Sequence, residues 1–420
     1  MSRRQFLQKV SAAALSTAAL SSTAMAARAF MRPPLRVGVV GGGIVGASIA
    51  WHLTQAGARV VLFEKAQPAS GATQNSFAWL NAFVAEPEYR ALRLQSLMAY
   101  RDLDQRLKLG IVWGGYANWA STPAEVKILH ESAAQMAGTP YPVNAIDTAA
   151  LIKKASGLTP GPVTEAFFSS IDGHLDPVGV TRRFIDLAQQ QGAQVKLECE
   201  VRGLDVNGGR LTGVRTSCGE AALDHLIIAA GVDTPTLLAL AGFELKLRHA
   251  PGILAHSTPT AIATPVIFDA PGSLSFKQMA DGSIVGTDSP LPPDIAAHRE
   301  IRMHAGSFPD AGLRAMHGDR ILKKIAAVLP VARGVSLQRL TLGFRPMPAD
   351  ELPVVGLVPG TKNIHVAVTH SGVTLAPILG RYVAEEILRG ARLEALSPFR
   401  PERFMSRTPS SAPTPPPPGS

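Results

Sequence analysis

The chain has 420 residues, 46% hydrophobic and 17% charged, with a formal net charge of +9. That is enough apolar material for a large core and two or three domain-sized units. The basic residues are scattered, which argues against a nucleic-acid surface; two cysteines make no disulfide framework, no Cys/His group has metal-ligand spacing, and beyond the N-terminus no run approaches the ~20 apolar residues of a membrane span.

In chain order the first feature is an address. Arg3-Arg4-Gln5-Phe6-Leu7 precedes a weakly apolar Ala/Ser-rich stretch, Val10 to Met25, and A-x-A sites at Ala24-Met25-Ala26 and Ala27-Arg28-Ala29. The pattern resembles a twin-arginine signal peptide over residues 1–29. It implies recognition by the twin-arginine export machinery, which carries proteins already folded, and a periplasmic location. At the other end, residues 406–420 are rich in Pro and Ser and are expected to be disordered.

The most informative stretch follows the address. An apolar run, Val37 to Val40, ends on Gly41-Gly42-Gly43-Ile44-Val45-Gly46, and Ala47 to Ala56 has helix-forming composition. A second apolar run, Val60 to Phe63, ends on Glu64. Strand, glycine turn, helix, strand and acid form the dinucleotide-binding pattern. Gly41 permits the turn, Gly43 lets backbone approach a pyrophosphate, and Gly46 lets helix and strand pack closely. The helix N-terminus at Ile44 and Val45 offers N–H groups and a positive dipole end to phosphate. Glu64 is spaced to accept hydrogen bonds from an adenosine ribose. The motif alone does not separate FAD from NAD.

Beyond Glu64 and Lys65 a Gly/Ala/Ser/Pro loop runs to Asn75, and a helix is expected over about 88–107. Asp176-Pro177 suits the N-cap and first position of a helix over about 178–191. Cys199 and Cys218 lie in strand-like stretches and are expected as two core or edge thiols, a single bridge being the alternative. A buried-type run, Leu226 to Gly231, closes this block. Residues 246–340 turn often, as an antiparallel sheet does, with a helix near 319–329. A strand at 364–368 and a helix from about Val373 to Leu388 complete the fold. The economical organisation is α/β: a discontinuous Rossmann-like nucleotide domain (33–80, 170–245, 341–395) with an antiparallel-sheet α+β substrate domain inserted at 81–169 and 246–340.

This pattern resembles the D-amino-acid oxidase/glycine oxidase/sarcosine oxidase family of FAD enzymes, from about Leu35 to Phe404. The blocks that carry it are the glycine turn through Glu64, Ser70-Gly71-Ala72-Thr73-Gln74-Asn75-Ser76, Asp172-Gly173-His174-Leu175-Asp176-Pro177, Ile228-Ala229-Ala230-Gly231, and a last block. That block joins Gly343-Phe344-Arg345-Pro346, Leu352-Pro353-Val354-Val355-Gly356 and Thr369-His370-Ser371-Gly372-Val373-Thr374. The resemblance implies non-covalent FAD held by Gly41, Gly43, Ile44, Val45, Gly46, Glu64, Lys65, Ala72, Thr73, Ser76, Val201, Ala230, Gly231, Gly343, His370, Ser371, Gly372, Val373 and Thr374. The helix starting near Gly372 would face the flavin pyrimidine edge, where reduced flavin carries negative charge.

Arg345 is the expected substrate residue: in the family's amino-acid oxidases the matching arginine clamps the substrate carboxylate, and a guanidinium fork fits a carboxylate bidentately. The alternative is a structural arginine paired with Asp350. Histidines 249, 256, 365 and 370 are weak candidates for proton transfer. The chain departs from some members. Ser275 stands where glycine-oxidase-like members have a tyrosine, Thr374 where sarcosine oxidases have a lysine, and no cysteine lies near Arg345 to attach flavin. Lys277 would add a second positive charge if it faced the pocket. The expected activity is oxidation of the C–N bond of an amine or amino acid to an imine, with oxygen or a quinone or other electron carrier as acceptor. The alternatives are oxidation of a 2-hydroxy acid and a flavin-binding maturation factor for a secreted product.

Overall fold

The computed structural model describes residues 33–288 and 311–405; the signal-like segment and the Pro-rich tail lie outside them, as does the side chain of His249. The first apolar run forms β1 (Arg36–Val40), the glycine turn leads into α1 (Ile44–Gln55), and β2 (Arg59–Phe63) returns parallel to β1. Next come β3 (Trp79–Leu80), α2 (Pro87–Leu107), β4 (Tyr116–Ala120), α3 (Pro123–Met136), β5 (Asn144–Ile146), α4 (Thr148–Ile152), β6 (Glu165–Ser169) and β7 (Gly173–His174). In α5 (Pro177–Gln190) Asp176 is the N-cap, its carboxylate accepting from the Val178 N–H, with Pro177 at the first position. Then follow β8 (Gln194–Lys196), β9 (Val201–Asn207), β10 (Arg210–Thr216), β11 (Gly219–Ala222), β12 (His225–Ile228) and α6 (Thr234–Leu240). The last part holds β13 (Leu247–Ser257), β14 (Ile267–Ala270), β15 (Leu274–Gln278), β16 (Ile284–Thr287), α7 (Ala311–Val328), β17 (Leu337–Pro348), β18 (Val354–Leu357), β19 (Ile364–Val368) and α8 (Gly372–Arg389).

Two large sheets organise these elements. The first has the order β18-β19-β12-β1-β2-β8 and is parallel except for its edge strand β18. Its inner strands are covered on both faces, so they read as unbroken apolar runs rather than alternating ones. Val37, Val39, Ile227, Ile364 and Val366 are all fully buried. Helix α1 packs against α5 through stacked Trp51 and Phe184 rings 5.3 Å apart. The second sheet has the order β17-β13-β16-β15-β14-β4-β6-β5 and is antiparallel except for the β14–β4 pair. One of its faces forms an apolar core with α7, including Ala255, Phe268, Phe276 and Leu342.

Two differences from the sequence reading have local causes. The segment 341–348 does not join the nucleotide sheet: β17 runs unbroken from Leu337 to Pro348, paired along β13, so Gly343 and Arg345 belong to the second sheet. The two cysteines are not separate thiols. β9 and β10 pair with Val201 opposite Thr216, which brings Cys199 and Cys218 to a Cα separation of 5.4 Å, and they form a disulfide.

Candidate active site

A cavity of about 490 Å³ takes in the ends of both sheets, a size that suits a cofactor and a small substrate. One end is the glycine turn. Gly41 is left-handed (φ +108°) and its N–H donates to the Phe63 carbonyl at 2.8 Å, closing β1 onto β2. A Cβ on Gly46 would stand 2.0 Å from the Gly41 carbonyl oxygen, so only glycine lets α1 start this close to the turn. Glu64, at the end of β2, accepts from the Gly42 N–H at 2.6 Å and from the Ala66 N–H at 2.8 Å. Its carboxylate thereby locks the turn as well as facing the cavity. The Ile44 N–H donates to Thr73 Oγ1 at 3.2 Å, tying the small-residue loop to the first turn of α1.

The second helix start on the cavity is that of α8. Pro377 lies inside this helix and has no N–H for the Val373 carbonyl. Tyr100 of α2 supplies the missing donor, its hydroxyl 2.6 Å from that carbonyl, and Ser96 Oγ donates to the Thr374 carbonyl at 2.6 Å. Thr374 Oγ1 donates to the Trp79 carbonyl at 3.0 Å. The start of α8 is therefore fixed by side chains from α2 and by the β3 backbone, with its amide end open to the cavity.

Of the residues expected from sequence, Gly41, Gly43, Ile44, Val45, Glu64, Lys65, Ala72, Thr73, Ser76, Val201, Ala230, Gly231, Gly343, Arg345, His370, Ser371, Gly372, Val373 and Thr374 all line this cavity. Gly46 does not; it acts behind the wall, through the close packing just described. Lys65 is bound to Asp233 at 2.7 Å across the cavity rim. Burial lowers the Arg345 guanidinium from its ordinary value, opposed by the Glu351 carboxylate, and the group stays charged at any working pH. Asp350, its expected structural partner, is held instead by Arg403 at 2.7 Å. His370 is pushed down to about 4, first by burial and then by the Arg93 and Arg345 charges, and is neutral at pH 7.

Lys277 does not supply the second cation of the cavity. It is buried outside the lining, its ammonium 5.4 Å from the centre of the Phe77 ring, and burial pushes it down to about 7. Arg93 of α2 lines the cavity in its stead, together with Phe77, Trp79, Asp233 and Thr287, none of which the sequence reading singled out. Asp172 also has an unforeseen role. Fully buried, it accepts from Trp79 Nε1, Tyr141 OH and Ser169 Oγ, each at 2.7 Å, which fixes the Trp79 ring on the cavity wall. Burial raises this carboxyl to about 6 against those hydrogen bonds. A signal for Trp79 existed in its place just beyond the small-residue loop; Arg93 sits in an ordinary amphipathic helix and gave none.

A parallel sheet with its glycine turn, acid and cavity at the strand ends defines a dinucleotide-binding protein. The chain belongs to the DAO family of FAD-dependent oxidoreductases, whose profile matches residues 36–386. Human mitochondrial dimethylglycine dehydrogenase is 25% identical over 389 residues, a match that covers 87% of this chain and 44% of that protein. The chain therefore spans under half the length of that relative. Glycine oxidase of Geobacillus kaustophilus (strain HTA426) is 24% identical over 385 residues, covering 88% of this chain and 97% of that one. The solved glycine oxidase of Geobacillus kaustophilus shares the fold with a TM-score of 0.77 at 23% identity, covering 88% of this chain and all of the other.

The residues present fit FAD. Two helix N-termini open on one cavity, a glycine turn without side chains lies at one end, and the Glu64 carboxylate at the end of β2 lines the same cavity. Both cysteines are joined to each other, which leaves no thiol to attach a flavin.

Proposed function

We propose that the protein oxidises the C–N bond of an amino acid or carboxylate-bearing amine to an imine, which water then hydrolyses. The observation that carries this reading is Arg345, a partly buried cation on the wall of the cavity, on the sheet that faces the cofactor residues. Bound FAD would supply the two-electron acceptor. Arg345 would clamp the carboxylate through paired N–H donors and hold the adjacent C–H toward the ring, which is a proximity effect. Trp79 and Phe77 would exclude water from the reacting end. As the C–H electron pair leaves, the nitrogen lone pair forms the C=N bond, so the amine must react in its neutral form and no protein base is required for that step. His370, neutral and beside the start of α8, would hold a hydrogen bond rather than a charge.

The discontinuous domain organisation, the FAD-contact roles of the lining residues, and export of the folded protein by the twin-arginine route to the periplasm are parts of the same proposal. They are supported by the location of the strands, by the lining of the cavity and by the Arg3-Arg4 pattern, respectively. The test is steady-state turnover of the FAD-loaded protein with D- and L-amino acids, N-methyl amino acids and prolines, alongside 2-hydroxy acids. Oxygen and a soluble quinone serve as acceptors in separate assays, and the released carbonyl product is identified. Carbonyl product from an amine with either acceptor supports the reading; turnover of hydroxy acids alone, or of nothing, overturns it.

A further inference from the structure

Arg93 is a buried arginine, 6% exposed, on the cavity wall. Its Nε donates to the Asn81 carbonyl at 2.9 Å and one terminal nitrogen to Asn81 Oδ1 at 2.8 Å. Both partners are neutral. Among the described residues no carboxylate lies within ion-pair distance of it. Asp172 feels its charge, but that carboxyl is already engaged by Trp79, Tyr141 and Ser169. A buried charge is costly unless an opposite charge meets it. The protein thus maintains a fixed cation on the cavity wall that no described carboxylate pairs with. The place of that cation is informative. Arg93 sits one turn before Ser96, which holds the Thr374 carbonyl, so it stands beside the amide end of α8. Tyr89, over whose ring the guanidinium lies at 5.3 Å, also contacts the His370 ring.

We propose that Arg93, positioned by Asn81, is the counter-charge for the anionic pyrimidine edge of the flavin and raises its tendency to accept electrons. The proposal rests on the flavin ring lying at the α8 end of the cavity, and concerns the cofactor rather than the substrate carboxylate assigned to Arg345. The helix dipole of α8 contributes the equivalent of a partial charge, whereas Arg93 contributes a full one in a site shielded from water.

Sulfite tests this without any amine. The sulfur lone pair forms a bond to flavin N5, and the displaced electron pair settles on the pyrimidine edge, where a neighbouring cation stabilises it. The FAD-loaded protein and the variants Arg93→Lys, Arg93→Gln and Asn81→Asp are titrated with sulfite by flavin absorbance, and their flavin midpoint potentials are measured. Asn81→Asp leaves Arg93 in place and sets a carboxylate against it. Arg93→Lys is expected to stay within a few-fold of wild type. Arg93→Gln and Asn81→Asp are expected to weaken sulfite binding about 10-fold or more and to lower the potential. If Arg93→Gln does not retain FAD, Asn81→Asp alone decides. Unchanged sulfite affinity and potential overturn the proposal, as does a change confined to the KM for an amine, which would make Arg93 a second carboxylate anchor. Because sulfite replaces substrate, a failure here is separate from a failure to oxidise amines.

Discussion

Arg345 and Gly46 show how differently single residues carry this site. A guanidinium fork loses its paired geometry when it becomes a single ammonium. Arg345→Lys is therefore expected to raise the KM for a carboxylate-bearing amine by roughly 10-fold to 100-fold, with FAD binding retained. Arg345→Gln should cost more, and equal KM values in the three proteins would show that the carboxylate is held elsewhere. Gly46→Ala tests backbone rather than charge: its Cβ would stand 2.0 Å from the Gly41 carbonyl. It is expected to abolish tight FAD binding, read by flavin fluorescence quenching; an unchanged FAD affinity would show that the turn accommodates the added methyl. The glycines and Glu64 were legible in the sequence because their constraint is local: a turn, a close approach, a strand end. Arg93 and Lys277 were not. Whether a cation faces a cavity or a packed ring depends on what comes from distant segments to meet it, and nothing in the neighbouring residues encodes that.

Elements hold the site through contacts that replace what their own sequences lack. Helix α8 contains a proline that leaves the Val373 carbonyl without its helical donor, and Tyr100 of α2 fills the gap. Tyr100→Phe leaves that buried acceptor unpaired and is expected to cost about 1–3 kcal/mol in urea unfolding; no loss would mean that the acceptor is satisfied some other way. The Cys199–Cys218 bridge closes a sequence separation of 19, worth about 3 kcal/mol on the loop-entropy scale. Cys199 lines the cavity and its N–H donates to the Glu64 carbonyl. Reduction with a dithiol should therefore lower the unfolding temperature and weaken FAD binding together; a fall in stability with unchanged FAD affinity would separate the two. Helices α2, α5 and α8 were legible almost to the residue, and in α5 the Asp176 cap and Pro177 at the first position mark the start directly. The pairing of the cysteines and the placement of β17 were not, because both follow from strand register between distant segments.

Across the whole molecule, buried histidines set the response to acid. His174 is pushed down to about 3 and His365 to about 4, in each case mainly by burial, against 6.5 in the open chain. The unfolded chain thus binds protons that the native state refuses. Their contribution to stability is complete above pH 6.5 and is lost as pH falls below it, at up to about 1.4 kcal/mol per pH unit for each histidine. Asp172 and Asp269 act in the opposite sense, because burial raises both carboxyls. His52, His256 and His370, however, are also pushed down to about 4 by burial, and the five histidines outweigh the two carboxyls. Chemical unfolding is expected to show clearly lower stability at pH 5 than at pH 7, and His365→Asn should reduce the difference; equal stability at both values would contradict the burial argument. At this scale the sequence made the two-layer plan legible, because parallel and antiparallel sheets demand different apolar patterns. The meeting of the two sheets in one cavity was visible only through resemblance.

The most direct test of the central claim is the visible spectrum of the purified protein, residues 30–420, reconstituted with FAD and titrated without oxygen with amino acids and N-methyl amino acids. The expected result is a bound-flavin spectrum that bleaches stoichiometrically with a carboxylate-bearing amine and much more weakly in Arg345→Gln. A flavin spectrum that no amine bleaches would contradict the proposed chemistry, and the absence of any bound flavin would contradict the site itself.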